Sequence, residues 1–433
     1  MVTTSAVVVG GGLAGVASVQ ELSKLGAHVT LVDRNDYHQF QPLLYQVATA
    51  QLPAEDIARP LSEIVDGLPG ATFLQGEVTA IDPETRSVTV DGDRVLPADV
   101  LVLAAGGVPA FHGVAGADEH TFPLYSVADA ERLRLHLREV LDRAMEGSGD
   151  ADVVVVGAGP TGVETTGAVC ELVRALEAVG RIPAGRLSVH LVDAGHTLLP
   201  AFSDRAHRYA FDSLAALGAD IRLEHGVAAV HADHVVLQDG TSLAATTVVW
   251  GGGESGAPVA SLLGVPLGRG GRIDVTPELT VPGLDGVYAV GDVANVPAMD
   301  RHGEADGVLP QLGSVAQQSG SWAARNAMAV VVGHKAHPFH YKDKGIMAMI
   351  GRNAAVAEMG RRRHEIDGPV AFGAWLGVHA MLLSGVHSRT DAFLSWARNY
   401  ADRDHAAVVE SWSNPRRIVW ADDDVDRPHI LPS

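Results

Sequence analysis

The chain has 433 residues, a formal net charge of -20 and one cysteine. That length supports two or three domains around a large apolar core. The acidic balance argues against a nucleic-acid footprint, and a lone cysteine excludes both an internal disulfide framework and a two-cysteine redox centre.

Glycine is abundant, at 48 residues, and aromatics make up 5%. This suits an α/β protein with close backbone approaches better than a β-sandwich. The chain opens directly into the strand-like "AVVVG" with no basic flank, so no signal peptide is expected and a reducing cytoplasm is the expected compartment.

Ala6–Val9, a short apolar run bounded by glycine, reads as a buried parallel strand. Leu13 to Leu25 has helical spacing and stops at Gly26, and "AHVTLVDR" then forms a second strand closing on Asp33. Together these make a βαβ unit. "DVLVLAAGG" (Asp99–Gly107) is a further buried strand ending in small residues.

The pattern then recurs. "ADVVVVGAGPTGVETTGAVCELVRAL" reads as strand, glycine turn and helix, "RLSVHLVDAG" as the partner strand, and "TTVVWGGG" (Thr246–Gly253) as the echo of "DVLVLAAGG". Two copies at this spacing indicate domain duplication, not a short-period solenoid. "GVYAVGDVA" (Gly286–Ala294) adds a strand running to Asp292 after the second copy, so the first module is expected to be split around the second.

Beyond about Lys335 histidine, arginine and tryptophan become more frequent. The run Pro369–Val386 approaches the length of a membrane span, but it contains His379, Ser384 and three glycines and has no counterpart elsewhere. An interfacial or buried amphipathic helix is the expectation there.

Gly10, Gly12 and Gly15 form G-x-G-x-x-G between strand and helix. In such a turn the first glycine allows the tight bend, the second admits a pyrophosphate to bare backbone, and the third lets the helix pack on the strand. The helix N-terminus contributes unpaired N–H groups and partial positive charge. Asp33 is placed to accept hydrogen bonds from ribose hydroxyls. Gly157, Gly159 and Gly162 repeat the device, with Asp193 at the end of a more distant partner strand. An acid at Asp193 repels a 2′-phosphate, which favours NADH over NADPH. Glycine turns also serve packing alone, so a nucleotide fold kept as scaffold stays open. The economical pairing is FAD in the first module and NADH in the second, because hydride passes between such cofactors.

The motifs "GGGLAG", "DYHQFQPLLYQVATA", "GAGPTGVETTGAVCEL", "GVYAVGDVA", "LPQLGSVAQQSG" and "HYKDKGIMAMIGRNAAVAEMG" resemble those of two-dinucleotide-binding-domain flavoproteins, and most closely type II (non-proton-pumping) NADH:quinone oxidoreductases. The resemblance implies two Rossmann-like, glutathione-reductase-like domains, with the NADH domain inserted in the FAD domain. The expected boundaries are 1–116 and 283–334 for the FAD domain, 117–282 for the NADH domain, and 335–433 for a C-terminal region with amphipathic helices.

It also implies that Asp292 contacts the ribityl chain, that Pro42–Gln46 lies near the flavin ring, and that Glu164 and Lys344 stand near the flavin on the acceptor side. Further FAD contacts are expected at Leu44, Val78, Ala105, Gly106 and Val315, and an NADH contact at Gly252. A Pro-terminated helix start stays open for Pro42–Gln46, a helix-dipole role for Glu164, and an ordinary solvated charge for Lys344. The family's quinone segment resembles A-Q-x-x-x-Q; here Ser314 replaces the first glutamine and Gln318 keeps the second.

The family's membrane-docking C-terminus is apolar, whereas His387–Trp412 is polar. Cys170 reads as a small buried apolar residue, and the scattered histidines make no metal site. The expected activity is hydride transfer from NADH to FAD and then electron transfer to a quinone-type acceptor. Peripheral attachment would use Pro369–Val386 with Arg361–Arg363, Arg416 and Arg417. Two other readings stay open: a flavoprotein reductase or oxidase acting on another small molecule or carrier protein, and an NADH-responsive flavoprotein that changes partners. The C-terminal region 335–433 would carry the acceptor site and a surface for membrane contact or a homodimer.

Overall fold

The computed structural model describes residues 4–147, 149, 151–300, 304–360, 363–383, 392 and 394–396. Most of the polar stretch His387–Trp412, together with Arg361, Arg362, Arg416 and Arg417, lies outside the described residues. The chain forms two compact units: Met1–Gln39, Arg59–Val108 and Glu254–Asp343 make the first, and Phe40–Ala58, Pro109–Gly253 and Lys344–Ser433 the second.

The first unit is built on a five-stranded parallel sheet in the spatial order Val287–Ala289, Val100–Leu103, Ser5–Val9, His28–Asp33, Ala71–Gln75. Its inner strands are valine- and leucine-rich and buried on both faces, as a parallel sheet covered by helices requires. The helix Leu13–Lys24 follows the first strand and packs lengthwise on Gly313–Val331. Gly320 makes that approach feasible, because a Cβ there would stand 2.2 Å from the Ala14 carbonyl oxygen.

The second unit repeats the plan. Phe122–Pro123, Thr247–Trp250, Val153–Val156, Val189–Val192 and Asp220–Arg222 form another five-stranded parallel sheet in that order. A three-stranded antiparallel sheet, Gly345–Gly351, Ala354–Met359 and His364–Asp367, belongs to the same unit. The helix Pro160–Ala178 packs against its first strand so closely that a Cβ on Gly167 would meet the Ile350 carbonyl oxygen at 1.7 Å.

The apolar run near the C-terminus folds as the helix Gly368–Leu382. It buries Ala371, Phe372, Trp375 and His379 on one stripe, a spacing of three to four residues. Val370 and Met381 remain 70% and 67% exposed, so the helix is neither wholly interior nor polar outside. Among the described residues no helix is long and apolar enough to cross a membrane.

The Gly167 seam generates a test. Gly167→Ala should destabilise the second unit by about 1–3 kcal/mol through overpacking against main chain that cannot move aside. A melting temperature equal to wild type would contradict that account.

Candidate active site

Each glycine turn divides its labour in the same way. A Cβ on Gly10 would lie 2.4 Å from the Ala104 carbonyl oxygen, and one on Gly15 would lie 1.7 Å from that of Gly10. Gly12, in contrast, faces open space. In the second turn the corresponding distances are 2.3 Å for Gly157 to the Gly251 oxygen and 1.8 Å for Gly162 to the Gly157 oxygen, with Gly159 again open. The outer glycines therefore serve the bend and the helix–strand contact, and the middle ones leave bare backbone for a ligand.

The helices that follow, Leu13–Lys24 and Pro160–Ala178, carry no side-chain cap and no acid in the first turn. Their first N–H groups are left for an anion. Gly313–Val331 is likewise uncapped, and Gly313 sits against Leu13, so two free helix N-termini lie side by side in the first unit. These features fit the pyrophosphate of a dinucleotide.

The two acids occupy equivalent stations. Asp33 accepts the Gly11 N–H through Oδ2 at 2.5 Å and the Asn35 N–H through Oδ1 at 2.8 Å. Asp193 accepts the Ala158 N–H through Oδ2 at 2.7 Å and the Gly195 N–H through Oδ1 at 2.5 Å. The longer sequence spacing before Asp193 thus leaves its place at the turn unchanged.

Around the first cradle, Ala105 and Gly106 follow the strand Val100–Leu103, Val78 begins a strand, and Val315 is buried in the first turn of its helix. Asp292 lies in the 3-10 turn Gly291–Val293. Burial pushes its carboxyl pKa up, with the Arg272 guanidinium opposing. Glu254 shares this environment, and burial together with the charge of Asp292 pushes its pKa up as well.

Gln318 is engaged at both ends: its Nε2 donates to the Lys342 carbonyl at 3.1 Å and its Oε1 accepts the Lys342 N–H at 3.0 Å. One turn earlier, Ser314 bonds the Tyr341 hydroxyl at 2.7 Å. The Ser314–Gln318 face therefore holds the Tyr341–Lys342 segment.

In the second unit, Leu44 is buried in the short helix Leu44–Ala48, which follows a 3-10 turn containing Pro42. The Gly252 carbonyl accepts a bond from His112 Nε2 at 2.8 Å. Lys344 is exposed beside Gly345.

Glu164 lies beyond the first turn of its helix and makes no cap. Its Oε1 instead accepts the Met349 N–H at 3.0 Å, and the residue is 9% exposed. Burial raises its pKa to about 8, against the pull of the Met349 N–H and the Trp375 side chain. The carboxyl is therefore protonated at neutral pH.

The "FQPLLYQVA" motif supplies part of the surroundings. Tyr45 Oη approaches Met349 Sδ at 3.3 Å, and Gln46 links the Tyr45 hydroxyl to Trp396 Nε1 through bonds of 2.9 and 2.8 Å. Trp375 stacks on His379 with ring centroids 3.9 Å apart. Burial lowers the His379 pKa to about 4, keeping it neutral. Sequence reasoning missed Tyr45, Met349 and Trp375 as neighbours of Glu164, and His379 stacked on Trp375. The available signal was the specificity of the Pro42–Gln46 motif and an aromatic residue inside the apolar run.

The model for the pyridine nucleotide-disulphide oxidoreductase family matches residues 4–320. A type II NADH:quinone oxidoreductase of Mycobacterium tuberculosis, NdhA, is 32% identical over 92% of this chain and 87% of its own length. The chain belongs to the type II NADH:quinone oxidoreductases. A Staphylococcus saprophyticus member is 28% identical over 81% of the chain and 88% of its own length. The solved structure of NDH2 from Plasmodium falciparum in complex with NADH shares the fold, with a TM-score of 0.83 at 17% identity over 92% of this chain and 98% of that one.

This type II oxidoreductase carries none of the dithiol chemistry in the broader family's description. Its single Cys170 is 3% exposed, and burial pushes the thiol pKa up to about 12. Cys170 should resist alkylation in the native protein and react only on unfolding. Glu164 yields a pH test. Its native pKa lies above the ordinary 4.5, so the folded state keeps a proton that the unfolded chain has lost. That contribution to stability declines as pH rises from about 4.5 to about 8. Glu164→Gln should therefore gain stability relative to wild type across that window and level off above it. Parallel melting curves at fixed difference would contradict the assignment.

Proposed function

We propose that this chain is an FAD-dependent oxidoreductase that takes hydride from NADH and passes the electrons to a quinone-type acceptor. The observation that carries the reading is the pair of matched cradles, each with bare backbone, an uncapped helix and an acid bonded to the turn. The net change is NADH + quinone + H⁺ → NAD⁺ + quinol, so one proton per turnover comes from water. Bound in the first module, FAD would supply the electron carriage between donor and acceptor.

The chain's own residues bind, orient and hold protons. Gly10, Gly12, Gly15 and Asp33 would hold the flavin nucleotide, with Leu44, Val78, Ala105, Gly106, Asp292 and Val315 at its remaining length. Gly157, Gly159, Gly162, Asp193 and Gly252 would hold NADH. Glu164 would keep a proton ready beside the acceptor, Lys344 would place positive charge on the acceptor side, and Gln318 would hold Tyr341–Lys342 in place. The exposed Val370 and Met381 on Gly368–Leu382 suit peripheral contact with a membrane that carries the quinone.

Purified protein should show flavin absorbance that NADH bleaches and a quinone restores. Asp193→Ala should lower kcat/KM for NADH about tenfold while narrowing its preference over NADPH. Glu164→Gln should slow the quinone step about 10- to 100-fold and leave bleaching by NADH unchanged. Absence of flavin, or bleaching that no quinone reverses, would refute the reading. Sedimentation with quinone-bearing vesicles tests the membrane contact, and full recovery in the supernatant would refute that part alone.

A further inference from the structure

The two turns share one more feature. In each, the residue between the first two glycines has its N–H bonded to the acid, and its carbonyl is bonded on the other side. In the second unit the Ala158 carbonyl accepts the main-chain N–H of Leu199 at 2.7 Å. In the first, the Gly11 carbonyl pairs with His38 Nδ1 at 2.8 Å. An imidazole thus stands where the duplicate uses a peptide group.

His38 is 2% exposed, on the strand Tyr37–Gln39 just after Asp33 and Asn35. A carbonyl can only accept, so Nδ1 must carry the hydrogen. Burial disfavours the charged ring and lowers its pKa, with the Arg59 charge acting in the same direction and the Gly11 bond opposing. The ring is therefore the neutral Nδ1–H tautomer. Its Nε2 is a buried lone pair that no described group meets.

The consequence follows from peptide geometry. A trans peptide is planar, and its C=O and the following N–H point in opposite directions. Holding the Gly11 carbonyl toward His38 turns the Gly12 N–H the other way. Gly12 is the residue that faces open space at the uncapped end of Leu13–Lys24.

We infer that His38 is a positioning residue of the first cradle, a side-chain clamp on the Gly11 carbonyl that aims the Gly12 N–H at the pyrophosphate of FAD. The inference rests on the reading of the first module as a flavin-nucleotide site. It assigns the second module no such dependence, because its clamp is main chain.

The test is FAD release from the holoenzyme, followed as recovery of flavin fluorescence on dilution. Asparagine can present an N–H where Nδ1 stood, glutamine where Nε2 stood, and leucine neither. His38→Leu should release FAD at least about tenfold faster than wild type, and His38→Asn within about threefold of it. Affinity for NAD⁺ should stay unchanged in both. Leucine equal to wild type, or asparagine as leaky as leucine, overturns the clamp. Should the leucine variant not fold, asparagine and glutamine decide: retention by asparagine and loss by glutamine supports the clamp, and the reverse order overturns it. Wild-type protein that takes up no flavin would sink the reading of the module, and the clamp with it.

Discussion

The contact on which everything else depends is the one between a glycine Cα and a carbonyl oxygen at each turn. Gly15 against Gly10, and Gly162 against Gly157, bring a helix down onto its strand at a distance no side chain permits. With that contact in place, the helix axis points its unpaired N–H groups at the end of the sheet, and the acid on the neighbouring strand falls beside them. The twin parallel sheets are the platforms that make this placement repeatable. A chain that buries short valine runs on both faces acquires the platform from packing alone; the glycines turn the platform into a binding device.

Burial then sorts the ionisable groups. Glu164 and Glu171 lie two turns apart on one helix face, and both accept main-chain N–H groups from or just after the strand Gly345–Gly351. Desolvation raises both, to about 8 and about 7. The same effect acts in the other direction on His379, because there the charged form is the protonated one. At neutral pH Glu164 and His379 are thus neutral, while Glu171 is near its midpoint. A carboxylic acid buried there keeps its proton at neutral pH, whereas the same residue at the helix tip would have been a charge opposed to any bound phosphate.

Much of this was legible in the sequence, for identifiable reasons. The strand–turn–helix units announce themselves because a parallel strand is short and uniformly apolar and the glycines have fixed offsets. Asp33 and Asp193 were legible as acids closing strands, although the distance to Asp193 varies with loop length. What was not legible depends on contacts distant in sequence. Nothing in the local pattern says that Glu164 meets Met349, or that Gln318 is occupied at both ends by Lys342. Ser314 and Gln318 are four residues apart and so share a helical face, but which backbone that face meets is decided by tertiary packing. His38 looked like one histidine among many, because its significance lies in a carbonyl on another strand's turn.

The seam at Gly167 carries a further implication. The helix bearing Glu164 and the strand bearing its Met349 partner touch main chain to main chain. They can be displaced only together. The carboxyl and the main-chain N–H it accepts are therefore held at a fixed separation by backbone packing rather than by the torsions of the glutamate side chain.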